Sequence, residues 1–331
     1  MWSSSDPPVV FAFEGGRRLA EAIARRCGVS LAAHEERAFE DGEHKARPLV
    51  SVRGRDVFVI ESLHRDGQRS VNDRLCRLLF FIGALRDAGA GRITAITPYL
   101  AYARKDRRSK SRDPLTNRYV AMLLETVGMD AIVTLDVHNV SAFENAFRCI
   151  AVNLGAAGLL VEHVAPGLAR EDVAVVSPDA GGIKRADEFR ARLSAILGRK
   201  VAAAFAEKYR SEGELRGAAL VGDVRGKACV VVDDLISAGH TIDRAARACR
   251  EHGATSVIAV ATHGVFAGES DRVLAASPLE AIVVTDTIEG TRLTDPRVLG
   301  RLEVVETAPL LAEALSRLHA NGSLAALTNP S

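Results

Sequence analysis

From about residue 55 onward, short apolar runs rich in β-branched residues alternate with stretches whose apolar positions recur every three or four residues. The runs fit strands buried on both faces and the stretches fit one-sided helices, so the pattern predicts an α/β fold with mostly parallel sheets flanked by helices. Asp56 to Glu61 reads as a buried strand, and Val71, Leu75, Leu78, Leu79, Ile82 and Leu85 then keep helical spacing until Gly89. Arg92 to Thr97 is the next strand, closed by Pro98. A polar, basic stretch from Tyr102 to Asp113 follows, then a helix face at Leu115, Val120, Leu123, Leu124 and Val127 that stops at Gly128. Ala131 to Asp136 is a third strand.

The same grammar restarts after the small, apolar segment Leu154 to Val161. Val173 to Ser177 is a strand, Ile183, Ala186, Phe189, Leu193 and Ile196 form a helix stripe ending at Gly198, and Val201 to Phe205 is a strand. Lys208 to Gly217, charged and carrying two glycines, is expected to be a mobile loop. Lys227 to Val232 is a strand followed at once by Asp233 and Asp234, a glycine turn at Gly239, and a helix marked by Ile242, Ala245, Ala246 and Cys249. Strands at Ser256 to Ala261, Glu280 to Thr285 and Leu302 to Val305 and a helix from Pro309 to His319 complete the reading. Residues 1–8 and 322–331 are expected to be frayed ends. The expected division is a first domain at 1–157, a second at 158–320 and a tail at 321–331.

Composition narrows the classes. A length of 331 residues suits two domains, each able to bury its own core. With 43 Lys+Arg against 42 Asp+Glu, the net charge of +1 gives no general attraction to nucleic acid or to an anionic membrane, so any anion must be held by a local cluster. No apolar stretch approaches the ~18 residues that span a bilayer, and residues 1–8 have neither a basic start nor an apolar core, so a cytoplasmic protein is expected. Five cysteines, Cys27, Cys76, Cys149, Cys229 and Cys249, form no C-x-x-C pair and are expected to be buried, inert thiols.

In open parallel sheets ligands bind beyond the carboxyl ends of the strands, which directs attention to V-V-V-D-D-L-I-S-A-G-H-T-I at 230–242. Backbone N–H groups at the start of a helix, its positive dipole end and the hydroxyls of Ser237 and Thr241 form a cradle for a phosphate monoester. Beside it, Asp233 and Asp234 can accept hydrogen bonds from sugar hydroxyls, directly or through a cation. The plainer reading of the stretch, and the less favoured one, makes Ser237 only a helix cap and the acids solvated strand ends. The stretch is similar to the binding loop of type I phosphoribosyltransferases. Further segments occur in order: F-E-D-G-E at 39–43, V-N-D-R-L at 71–75, P-Y-L-A-Y-A-R-K-D-R at 98–107, L-D-V-H at 135–138, V-V-S-P-D-A-G-G-I-K-R-A at 175–186, E-K-Y-R at 207–210 and V-G-D-V at 221–224. Together they closely resemble the ribose-phosphate diphosphokinase family from about residue 35 to 320.

That resemblance implies two tandem type I phosphoribosyltransferase-like domains, the second carrying the ribose 5-phosphate loop of Asp233, Asp234, Ser237, Ala238, Gly239, His240 and Thr241. It implies transfer of the β,γ-diphosphoryl group of ATP to the anomeric hydroxyl of ribose 5-phosphate, giving 5-phosphoribosyl 1-diphosphate and AMP. Such a reaction gathers anionic oxygens and needs positioned cations. Arg104, Lys105, Arg107 and Arg108 offer charge; by resemblance Arg104 and Lys105 contact ATP, while Phe39, Asp41 and Glu43 complete the nucleotide site of a neighbouring subunit in a homo-oligomer. His138 and Asp179 would hold Mg2+, although histidine is an unusual ligand for so hard a cation. Gly181 and Gly182 let the backbone approach a diphosphate, with Lys184 and Arg185 adding charge nearby. Lys208 and Arg210 match the family's catalytic lysine and the arginine two positions later. Each of these residues has a plainer reading as a turn, a solvated charge or a structural histidine.

Departures from the pattern stand at Ser237 for Asp, Ala238 for Thr, His240 for Gly and Lys105 for Gln. A protonated imidazole at His240 would add charge to the phosphate site, so ribose 5-phosphate affinity is expected to rise as pH falls. Residues 139–147 and 322–328 differ from the pattern that builds the phosphate and ADP effector site, so neither form of regulation carries over. Two alternatives remain open: a base phosphoribosyltransferase, which accounts for 230–242 alone, and a non-catalytic regulatory subunit associated with the synthetase.

Overall fold

Val9–Ala12 (β1), Asp56–Ile60 (β4), Arg92–Ile96 (β5), Ala131–Leu135 (β6) and Ile150–Leu154 (β7) pair in that order into one all-parallel five-stranded sheet. The computed structural model describes residues 6–211, 214–290 and 292–328, with backbone alone at 207–211 and 214–219. Connections between these strands are Arg17–Arg26 (α1), Val71–Asp87 (α2), Thr116–Thr126 (α3) and Val140–Ala146 (α4), together with a separate antiparallel hairpin of His34–Ala38 (β2) and His44–Pro48 (β3). Strands β4 and β6 are buried at every position, as sheets covered on both faces require. The stripe of α2 reads out as expected, with Leu75, Leu78, Leu79, Ile82 and Leu85 buried, and Ser70 and Asp73 close a reciprocal cap at its start.

A second sheet is built from Val173–Ser177 (β8), Ala202–Ser211 (β9), Glu214–Val221 (β10), Ala228–Ile236 (β11), Ser256–Gly264 (β12), Ala281–Thr285 (β13) and Leu302–Val305 (β14). Its strand order is β10-β9-β8-β11-β12-β13-β14. All its pairings are parallel except β9 with β10. Helices Ala157–Leu168 (α5), Ile183–Leu197 (α6), His240–Glu251 (α7), Ser270–Ala275 (α8) and Pro296–Leu299 (α9) connect and cover it. The chain ends in Ala308–His319 (α10) and Ala325–Thr328 (α11). Two parallel-rich sheets with flanking helices are the architecture expected from the pattern.

Three expectations need correction. Lys208 to Gly217 is not an irregular loop: the described backbone is an antiparallel pair, with Lys208 opposite Ala218 and Arg210 opposite Leu215 across a register shift. An edge pair needs no continuous apolar run, so its charges hid the strands. Strand β11 does not stop at Val232 but runs through both acids, because Leu235 and Ile236 still pair with His263 and Gly264. Finally, the chain divides into one unit of Met1–Gly155, Thr287–Glu289 and Thr307–Ser331 and another of Ala156–Asp286 and Gly290–Glu306, so residues 307–320 leave the expected 158–320 domain. Their reason is packing: α10 lies on α1, Arg92 Nη2 donates to the Leu318 carbonyl at 2.7 Å, and His319 Nδ1 lies 2.8 Å from Asp56 Oδ2.

The ends differ too. Residues 325–328 form α11 instead of fraying, while the expectation for residues 1–5 and 329–331 lies outside the described residues. Of the cysteines only Cys229 and Cys249 are buried; Cys76 is exposed on α2, and all five are free.

Candidate active site

The second unit assembles its proposed chemistry at the carboxyl edge of its sheet. Val231 of β11 is level with Val176 of β8, and Ser177 is level with Phe205 of β9. Two or three residues further along these strands come Asp233 and Asp234, Asp179, and Lys208, so register alone gathers them at one edge. Asp234 is buried and Asp233 half-buried. Their charges are met by Arg185 of α6, whose Nη1 lies 3.5 Å from Asp233 Oδ1 and 3.6 Å from Asp234 Oδ1. Burial, with the neighbouring Asp234, still pushes the Asp233 carboxyl up to about 7, against the pull of Arg185. The acid pair therefore carries less than its full two charges near neutrality.

Beyond β11 the chain turns at Gly239, whose φ of 88° places it in the left-handed region before α7 begins at His240. Gly239 is the residue that starts the helix, and no side chain caps it, so the plain role of Ser237 as the helix cap is not what the structure shows. The turn is tied to the next one, because Phe266 N donates to the Ile236 carbonyl at 3.0 Å and Ala267 N to the Ser237 carbonyl at 3.2 Å. Open amides, the α7 dipole and the hydroxyls of Ser237 and Thr241 remain the natural place for a phosphate. Gly239→Ala is expected to lose roughly 1–2 kcal/mol from its left-handed backbone. A Cβ would also stand 2.9 Å from Leu274 Cδ2. Thermal unfolding checks this.

Asp179 starts the short turn before α6. Its Oδ1 accepts from the amides of Gly181 at 3.0 Å and Gly182 at 3.2 Å, and its carbonyl accepts from Ser177 Oγ at 2.6 Å. The two amides assigned to a diphosphate are thus already turned toward one carboxylate oxygen. An incoming diphosphate has to displace that oxygen or share those amides with it. Gly182 has no room for a side chain, since a Cβ would lie 2.8 Å from Ser177 Oγ.

In the first unit, Arg104 and Lys105 follow β5 and His138 follows β6. Their loops are joined: Asn139 Nδ2 donates to Asp106 Oδ2 at 2.7 Å, and buried Asn117 donates from its amide to the Lys105 carbonyl at 3.3 Å and from Nδ2 to the Ala142 carbonyl at 3.2 Å. Arg104 and His138 are exposed. Lys105 Nζ instead bonds Asp113 Oδ2 at 2.9 Å, and that carboxylate also accepts from the amides of Ser109 and Lys110 at 3.0 Å. These bonds, Lys105 first, hold the Asp113 carboxyl below its ordinary range. Phe39, Asp41 and Glu43 sit on another sheet, in the turn between β2 and β3, where Glu43 N donates to Asp41 Oδ1 at 3.0 Å. The Phe39 ring is 39% exposed and carries the Arg37 guanidinium 4.9 Å from its centroid. An aromatic face presented this way suits a planar base.

Comparison with known proteins decides what this edge belongs to. A family model described as the N-terminal domain of ribose phosphate pyrophosphokinase matches residues 8–128, and one described as the phosphoribosyl synthetase-associated domain matches residues 203–329. A ribose-phosphate pyrophosphokinase of Listeria ivanovii is 37% identical over 324 residues, which cover 97% of this chain and 98% of that one. The chain belongs to the ribose-phosphate pyrophosphokinase family. Another relative of that name, from Agrobacterium fabrum, is 38% identical over 96% of this chain and 99% of its own. The crystal structure of phosphoribosylpyrophosphate synthetase from Mycobacterium smegmatis superposes with a TM-score of 0.85 at 36% identity, covering 96% of this chain and all of that one (100%).

Several residues that shape this candidate site carry no signal in the sequence. Arg185 stood out only as added charge, not as the partner of both acids. Asp106, Asn117 and Asn139, which tie the loop after β5 to the loop after β6, carry no spacing signal, because their partners are set by the sheet order. Glu269, bonded to His240 at 2.8 Å, lies 29 positions away in the chain.

Proposed function

We propose that this chain is a ribose-phosphate diphosphokinase that moves the β,γ-diphosphoryl group of ATP to the anomeric oxygen of ribose 5-phosphate. The observation that carries the reading is full-length similarity to relatives of that name, joined to an acid pair and a phosphate-type loop on one carboxyl edge. The anomeric oxygen attacks the β-phosphorus in line, the bond from that phosphorus to the oxygen it shares with the α-phosphorus breaks, and AMP leaves. Asp233 and Asp234 receive the ribose hydroxyls, and Ser237, Ala238, Gly239, His240 and Thr241 receive the 5-phosphate. Lys208 and Arg210 neutralise the transferring group without a covalent intermediate. Arg104 and Lys105 meet the nucleotide phosphates, and Lys105 has to leave Asp113 to do so.

Magnesium is assigned to the nucleotide phosphates, whose charge it spreads when bound. A carboxylate such as Asp179 suits a hard cation; His138 is the softer candidate in its own unit. Among the described residues no three His, Cys, Asp or Glu side chains cluster at metal-ligating distance. Phe39, Asp41 and Glu43 are assigned to a nucleotide bound by a second copy of the chain. Apolar side chains exposed on α2 and α3, Phe80, Tyr119, Met122 and Leu123, support a homo-oligomer. No helix among the described residues is long and apolar enough to cross a membrane. Five free thiols fit a reducing compartment, the cytoplasm.

The test is ATP, ribose 5-phosphate and magnesium with the purified chain, reading AMP and 5-phosphoribosyl 1-diphosphate together by phosphorus NMR. Equal amounts of the two products are expected. ADP in place of AMP, or AMP formed without ribose 5-phosphate, would sink the diphosphokinase assignment, and no turnover would favour the silent associated subunit.

A further inference from the structure

The sugar-phosphate loop ends in a side-chain pair that a simple phosphate cradle does not need. His240 opens α7, and its Nε2 lies 2.8 Å from Glu269 Oε1. Glu269 precedes α8, which packs on α7, and its second oxygen accepts from Arg272 Nε at 3.1 Å. The ring is therefore held against a carboxylate that is itself held. Both side chains of the pair stay about half exposed, at 55% and 49%, so the ring is reachable by a ligand from solvent.

A neutral imidazole has one N–H and one lone pair. The carboxylate at Nε2 selects the tautomer with its proton there, which leaves a lone pair at Nδ1 on a ring that is half exposed. Nδ1 then repels a phosphate oxygen. Protonation turns Nδ1 into a donor while the bond to Glu269 is kept, so only the cation serves carboxylate and phosphate together. Other charged groups on the surrounding elements are already engaged or lie elsewhere. On α7, Asp243 pairs with Arg247, whose Nε is 3.0 Å away, and Arg244 lies one residue on. Asp271 of α8 accepts from the amides of Thr294 and Asp295 at 3.0 Å. Strand β11 contributes Asp233 and Asp234 with Arg185, and β12 the buried His263.

We propose that binding of ribose 5-phosphate draws a proton onto His240, and that Glu269 is the positioning residue that holds the ring to receive it. The inference rests on the assignment of residues 237–241 to the sugar phosphate. In balance, up to one proton passes from solvent to Nδ1 as the sugar phosphate dianion enters, and the same proton returns to solvent when the dianion is released.

Proton linkage is measurable without turnover. Ribose 5-phosphate is titrated calorimetrically into the full chain at pH 7.5 in buffers of different ionisation enthalpy, and the slope of heat against that enthalpy counts protons taken up. The phosphate's own titration is common to all samples, so the reading is the difference between the wild type and His240→Gln. The wild type is expected to take up a larger fraction of a proton than His240→Gln. Glu269→Gln is expected to raise the KM for ribose 5-phosphate roughly threefold to fivefold above neutrality, as loss of an exposed charge pair does, with the KM for ATP unchanged. Its affinity profile should move to lower pH. Equal slopes for the wild type and His240→Gln overturn proton uptake, and a wild-type pH profile in Glu269→Gln overturns the positioning role. A wild type that does not bind ribose 5-phosphate overturns the loop assignment itself, an outcome distinct from binding without proton uptake.

Discussion

Lys208→Ala is expected to lower kcat for AMP release by about 10²–10³-fold, the usual loss when one fixed donor to developing charge is removed. The KM values should change little. The transferring diphosphoryl group spreads negative charge over its oxygens most strongly midway through transfer, so a cation placed for that moment acts on kcat more than on binding. Position supports the assignment: Phe205 is level with Ser177, the last residue of β8, and β9 carries Lys208 three residues further, beyond the end where Asp179 begins its turn. Arg210 lies two residues on, paired with Leu215 of β10. Lys208→Arg should restore only part of the rate, because a planar guanidinium does not replace a compact ammonium ion. Initial rates at saturating ATP and ribose 5-phosphate decide the matter. A kcat in Lys208→Ala within a factor of about three of the wild type would remove Lys208 from the chemistry, since exposed surface charges have effects of that size.

How much of this was legible depended on whether a residue's partner lies near it in sequence. Strands such as β4 and β6 announce themselves, because burial on both faces demands an unbroken apolar run. The hairpin of β2 and β3 does not. Its residues are charged or half exposed, and it is braced by ion pairs such as Glu35 with Arg47 at 2.5 Å and by contact with α2, neither of which leaves a period-two signature. The acids at 233 and 234 were visible as chemistry, yet their place inside a strand was not, since polar residues looked like its end. Arg185 and Glu269 were less visible still. Each reaches its partner across a sheet-defined gap, 48 positions to Asp233 and 29 to His240, and only the fold brings those ends together. The return of α10 to the first unit is the same problem at larger scale. Cys27 Sγ lies 3.6 Å from the Ala312 carbonyl, 285 residues away, and no local pattern encodes that contact.

Arg74→Met is expected to destabilise the first unit by about 3–5 kcal/mol, the scale for breaking a buried ion pair from one side. At ~2–4 °C per kcal/mol for a unit of this size, its unfolding midpoint should fall by about 10 °C. Arg74 follows Val71 by three and precedes Leu78 by four, so it lies on the stripe that faces the core, although its charge kept it out of the apolar pattern. Only 1% of the side chain is exposed, and the guanidinium bonds Glu61 through Nη1 and Asp66 through Nη2. Gly15 makes room for it, because a Cβ there would stand 1.7 Å from Nη1. The arrangement is costly even when intact, with Arg74 Nε and Glu61 Oε2 both buried and without a hydrogen-bond partner. Burial therefore pushes the Glu61 carboxyl up to about 7 despite Arg74. A carboxyl raised in the folded state lends stability that is full below its ordinary value of 4.5 and is lost as pH rises through about 7. Removing Arg74 removes the group that pulls this value down, so the loss extends to higher pH and the variant should suffer more at pH 8 than at pH 6. Arg74→Met with Glu61→Gln should recover much of the deficit and flatten that difference, because no lone buried carboxylate is left. Thermal unfolding of the three proteins at both pH values gives the answer, and a single variant equally destabilised at pH 6 and pH 8 would mean that Arg74 does not set the titration of Glu61.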